Sequence, residues 1–145
     1  MYFVDRQKIE ETLMYLESLI ALFLEQKNWT APLEKAALER LSHMMIESVL
    51  DVGNMMIDGF IMRDPGSYDD IVDILMDEKV VSEKAGVSLK NLIQYRKMLV
   101  QSYTEIDHKE LAVEFKNNIQ QLSDFSDSVR VYLTNELGQV TAFKN

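Results

Sequence analysis

The sequence predicts an all-α protein, a five-helix bundle, on three observations. Apolar residues recur at three- and four-residue intervals from Ile9 to Leu133, the spacing of one helix face. Two prolines and five glycines are all that punctuate 145 residues, so helices can run long. No segment alternates convincingly as a strand, and a chain of this length makes one domain, residues 1–145.

The first helix is expected from about Asp5, a good N-cap, to about Gln26, with Ile9, Leu13, Leu16, Ile20 and Phe23 as its stripe. Asn28-Trp29-Thr30 makes a turn, and Thr30 followed by Pro32 marks the next start. The second helix, Pro32 to about Met62, is apolar on two sides. One face carries Leu38, Leu41, Met45, Val52 and Met56, and a second line is formed by Ile46, Leu50 and Ile57. Such a helix is central in its bundle or sandwiched against a partner. A polar strip of Arg40, Glu47, Asp51, Asn54 and Asp58 runs between the two lines.

Arg63-Asp64-Pro65-Gly66 is a turn, and Ser67-x-x-Asp70 caps a short third helix reaching about Lys79. An irregular start near Ser82 and Gly86 leads into a fourth helix ending near Tyr103. Asp107-x-x-Glu110 opens the last helix, whose stripe is Leu111, Phe115, Leu122, Phe125, Val129 and Leu133, and Gly138 is its natural stop.

Composition narrows the function. A formal charge of −9 argues against a broad basic surface for nucleic acid, so any RNA contact must be local. The same charge disfavours anionic membranes, no apolar run approaches a spanning length, and the N-terminal residues lack a signal-peptide layout, which together predict a cytoplasmic protein with no membrane contact. Without cysteine there is no disulfide, thiol nucleophile or thiolate metal site.

The most informative segment is Tyr95-Arg96-Lys97-Met98-Leu99-Val100-Gln101-Ser102-Tyr103. In one continuous helix, seven residues bring Arg96 and Tyr103 to within roughly 20° of each other, on the side of Leu89, Leu92, Ile93, Leu99 and Val100. A guanidinium in that stripe must meet a carboxylate, an anion or water. The same geometry places Gln101 about 140° from Arg96, so the two converge only if the helix distorts or a second subunit contributes.

The spacing of Arg96, Gln101 and Tyr103 resembles the signature Arg, four residues, His, any residue, Tyr of the HepT-like toxin family of the HEPN superfamily, most of all its YutE-like branch. The resemblance extends from the helix of Arg40, Glu47 and Asp51 through Asp64-Pro65-Gly66-Ser67-Tyr68 to Tyr103, with Gln101 where the family has histidine. It implies a two-fold homodimer, formed through the second and fourth helices around a groove holding two copies of the motif. It further implies metal-independent cleavage of single-stranded RNA by an endoribonuclease, no cofactor, and pairing with a nucleotidyltransferase antitoxin that modifies Tyr103. Arg96, Gln101 and Tyr103 are then the catalytic set, with Glu47 and Asp51 as supporting carboxylates.

Arg96 suits a phosphate, because its planar fork donates two hydrogen bonds and stays charged. An amide at Gln101 does not titrate, and positioned acid–base catalysis contributes about 10²- to 10⁴-fold, so the implied activity is weakened or lost. The alternative is a non-catalytic nucleotide- or protein-binding helical module using the same groove.

The other chemical candidates have plainer readings. Asp69, Asp70, Asp73 and Asp77 suit the start of a helix better than a metal. Glu39 and His43 occur once and four apart, unlike a di-iron bundle. His43 and His108 read as structural, and the nine methionines as core filler with some at a dimer interface.

Overall fold

The protein is described here by a computed structural model over residues 2–138. Its helical segments are α1 (Arg6–Glu25), α2 (Pro32–Gly59), α3 (Tyr68–Asp77), α4 (Glu83–Ile93), α5 (Arg96–Gln101) and α6 (His108–Leu137), with no strand among the described residues. Segments α4 and α5 are the expected fourth helix, jointed at Gln94–Tyr95, so the five-rod bundle stands. At the joint the Tyr95 N–H donates to Leu92 O at 3.1 Å, a bond to the third residue back that tightens the turn.

The caps follow the sequence. Asp5 accepts the Lys8 N–H, Ser67 the Asp70 N–H, Ser82 the Ala85 N–H and Asp107 the Glu110 N–H. Pro32 opens α2, whose preceding Ala31 N–H donates to Glu34. Helix α2 stops at Gly59, short of Met62, because Ile61 turns left-handed at φ 57° and the Met62 N–H closes back on Ile57 O.

Helix α2 packs against α1, α3, α5 and α6. Ile46, Leu50 and Ile57 are each only 2 % exposed, covered by the chain's own helices. Of the two arrangements open to a doubly apolar helix, this one is central, so that line cannot serve as a dimer contact. The core around it includes Leu13, Leu16, Leu38, Met45, Phe115 and Phe125.

Helices α3 and α2 meet closely at Gly53, where a Cβ would stand 2.5 Å from Ile71 Cγ2. Helices α1 and α6 are tied by Arg130, which donates to Glu10 at 2.6 and 3.0 Å and to Glu17 at 2.7 and 2.9 Å. Those hydrogen bonds hold the Glu17 carboxyl below its ordinary range. No described helix is long and apolar enough to cross a membrane.

Candidate functional site

Arg96 stands at the first position of α5, immediately after the joint, and reaches across to α2. Its Nε donates to Glu47 Oε1 at 2.6 Å, and both side chains are 26 % exposed. The guanidinium carbon lies 4.5 Å from the centroid of the Tyr68 ring, a cation–π contact from the start of α3. Three elements therefore fix one arginine: a carboxylate holds its inner nitrogen, and an aromatic face sets its plane. Neither terminal nitrogen has a hydrogen-bond partner among the described residues. The fork is available to an oxyanion.

Arg96 lines an open cleft of about 410 Å³ with Ser67, Tyr68, Lys97 and Gln101. Arg96 and Gln101 are the first and last residues of the six-residue α5, and both border this open cleft. Continuous-helix geometry set Tyr103 beside Arg96, but α5 ends at Gln101, and Ser102 leaves helical geometry at φ −108°, ψ 41°. Tyr103 follows in a turn, 65 % exposed and outside the lining of that cleft.

Asp51 lies one turn beyond Glu47, where a groove of about 520 Å³ between α1 and α2 is lined by Lys8, Tyr15, Met44, Glu47, Asp51 and Met55. Although Asp51 is at the solvent edge, the groove walls partly desolvate its carboxyl and raise its pKa; the Glu47 charge adds to this, and Lys8 and Arg96 oppose it.

The residue that sequence reasoning set aside is His43. Its Nε2 is 3.3 Å from Glu47 Oε1, the same oxygen that Arg96 holds. The signal was the spacing of four between His43 and Glu47 on one helix, which places them on one face. One turn earlier on that side, Glu39 Oε2 meets His108 Nε2 at 2.6 Å. Helix α2 thus carries Glu39, His43, Glu47 and Asp51 at successive intervals of four.

Of the acidic residues of α3, Asp69 borders the Arg96 cleft, while Asp70 and Asp73 are engaged otherwise. Asp70 accepts two bonds of 2.8 Å from Arg63 and one from the Gly66 N–H, which hold its pKa down at about 2. Asp73 accepts from Lys90 at 2.7 Å.

This architecture has known counterparts. The sequence profile of the family described as "Ribonuclease HepT-like" matches residues 9–129. A Bacillus subtilis (strain 168) protein named "Putative RNase YutE" is 57% identical over 144 residues, 99% of this chain and 100% of that one. A solved structure of YutE from Bacillus subtilis, described as a cytosolic protein of unknown function, superposes with a TM-score of 0.95 at 57% identity, covering 99% of this chain and 100% of that chain. A tri-AMPylated Shewanella oneidensis HEPN toxin, in complex with an MNT antitoxin, shares the fold with a TM-score of 0.76 at 13% identity, covering 85% of this chain and 96% of the toxin. On the profile match and the Bacillus relative, the chain belongs to the Ribonuclease HepT-like family.

Proposed function

We propose that this protein is a metal-independent endoribonuclease of reduced activity acting on single-stranded RNA, and the observation that carries the reading is Arg96 with its two terminal nitrogens unengaged over an open cleft. In such cleavage the ribose 2′-hydroxyl attacks the adjacent phosphate, which requires removal of one proton, delivery of another, and stabilisation of the added negative charge. The Arg96 fork meets the last need, held in plane by Tyr68 and Glu47. Gln101, in the same cleft, can hydrogen-bond a phosphate or leaving oxygen but cannot exchange a proton at neutral pH. His43, against Glu47, is the imidazole nearest this pair.

The partner reading has separate support. The Shewanella oneidensis toxin of this fold is AMPylated and bound by an antitoxin. Tyr103 of this chain is an exposed phenol on a turn, accessible to a nucleotidyltransferase, and we assign it that role in place of contact with the reacting phosphate. The cytosolic description of the Bacillus relative supports a cytoplasmic location. A homodimer, with Leu50 buried inside its own chain, must use other surfaces. Tyr15, Met44 and Met55 beside Glu47 and Asp51 are the apolar side chains that could join two sites.

The test is incubation of single-stranded RNA with protein in excess chelator. Gln101→His restores a titratable group, so cleavage should rise by about one to three orders of magnitude over the native protein, and adding Arg96→Ala should abolish the gain. Native activity that already equals that of Gln101→His, depends on Arg96 and falls in His43→Gln would assign the proton transfer to His43. No cleavage by either protein would overturn the nuclease reading in favour of a binding module.

A further inference from the structure

The end of the bundle away from Arg130 carries a groove that no step above uses. It lies between the C-terminal turn of α1, the Asn28–Thr30 turn and the first turns of α6. Two adjoining cavities, of about 690 and 420 Å³, share Trp29, Ala112 and Val113 as their walls. The Trp29 ring is stacked on Phe23, with centroids 5.5 Å apart and planes 22° apart, which fixes the indole as a half-buried shelf. Leu24 and Val113 continue the apolar floor at 62% and 49% exposure.

The rim of this groove is basic, in a chain of net charge −9. Lys35 and Lys109 line one cavity, and Lys27 and Lys116 the other. All four are exposed, and none makes an ion pair among the described residues. Three of the nearby acidic groups are committed elsewhere, while Glu25 and Glu105 are not. Asp107 caps α6, Glu39 is bound to His108, and Glu34 accepts the Thr30 and Ala31 N–H groups and Gln26 Nε2. A fixed aromatic shelf ringed by uncommitted ammonium groups is the arrangement that holds a single strand, with a base on the ring and phosphates on the cations.

We propose that this groove is a second binding site for single-stranded nucleic acid, in which Trp29 stacks a base and Lys27, Lys35, Lys109 and Lys116 hold the flanking phosphates. The inference rests on the RNA-directed reading above and locates where the strand is held outside the cleft. The two sites are connected along α2. His108 lines the groove and is bound to Glu39, while Arg96 is bound to Glu47, eight residues further on; at 1.5 Å per residue that separation is about 12 Å. An acidic peptide would be drawn by the same lysines, but it has no use for the half-buried flat ring beside them.

Trp29 is the only tryptophan in the chain, so its emission reports on this groove alone. The probe is an end-labelled 2′-O-methyl oligouridylate of about twelve nucleotides, which lacks the attacking hydroxyl, added to the native protein. Fluorescence anisotropy of the label and quenching of Trp29 should saturate together. With four phosphates neutralised, affinity should fall by about 50-fold between about 50 and 200 mM salt, following a slope near −0.7 per contact. Lys109→Glu with Lys116→Glu, both at exposed positions, should weaken binding by at least about tenfold and flatten the salt dependence by two contacts, while Arg96→Ala should leave the Trp29 quench in place. Binding without a change in Trp29 emission, indifference to the two lysines, or quenching by a glutamate-rich peptide but not by the oligouridylate would each overturn the proposal. RNA cleavage with a silent Trp29 sinks this site and spares the nuclease reading; a quenched Trp29 with no cleavage in any variant does the reverse.

Discussion

The pairing of Arg96 with Glu47 gives a quantitative handle on how firmly the motif arginine is held. Each side chain is 26 % exposed, which places the pair between a surface bridge, worth roughly 0.2–1 kcal/mol, and a buried one, whose disruption costs about 3–5 kcal/mol. Arg96→Met keeps the apolar stem and removes the charge; Glu47→Gln keeps the shape and a hydrogen-bond acceptor. Each single change leaves its partner some compensation, since Glu47 retains His43 at 3.3 Å and Arg96 retains the Tyr68 ring at 4.5 Å. We therefore expect about 1–2 kcal/mol of destabilisation for each, or roughly 3–8 °C in Tm for a domain of this size. Denaturant unfolding of the four proteins in the cycle should give a coupling energy of about 1 kcal/mol or more. Additivity within about 0.3 kcal/mol would refute the pair as a structural element and leave the position of Arg96 without its main cause.

Two further outcomes follow from burial and charge. Leu50→Ala should cost about 2–5 kcal/mol in chemical unfolding with no change in mass by light scattering, because the side chain is sealed inside its own chain; a drop in mass with unaltered stability would mean that it faces a partner after all. Asp51→Asn should raise stability slightly near pH 7, by under about 1 kcal/mol given its access to solvent. Its carboxyl titrates higher in the folded state than in the unfolded one, so the native protein binds more protons between those two values and the Asp51 charge costs stability above them. The gain should vanish as the pH falls below the ordinary carboxylate range, and thermal melts across pH 3 to 8 showing a constant or reversed difference would contradict it.

Much of the fold was legible because each helix announces its own start. Asp5, Ser67 and Asp107 cap as their residue types and spacings require, and the stripes of the first and last helices are buried residue for residue from Ile9 to Phe23 and from Leu111 to Leu133. The shielding of Arg96 was legible too, since an arginine in an apolar stripe demands a carboxylate and Glu47 was available. What pattern could not show was the joint at Gln94–Tyr95 and the stop at Gln101. Neither Gly nor Pro marks them, and the turn is set by tertiary contact, with Tyr95 Oη reaching Glu110 across to α6. Angles counted around an ideal cylinder beyond the stop at Gln101 misplaced Tyr103. Periodicity likewise revealed that α2 has two apolar sides but not which neighbours cover them.

The joint that precedes α5 also isolates the motif from the bundle. Segment α5 contributes a single buried residue, Leu99, and Gln101 points to solvent. Exchange of glutamine for histidine there disturbs no packing and uncovers no polar group, and surface changes of this kind stay within about 0.5 kcal/mol. Position 101 is thus an interchangeable part, carried on a short peg whose arginine is anchored by Glu47 and Tyr68. On the proposed nuclease reading, a lineage can silence such a site and recover it through single substitutions, with every intermediate remaining a folded protein.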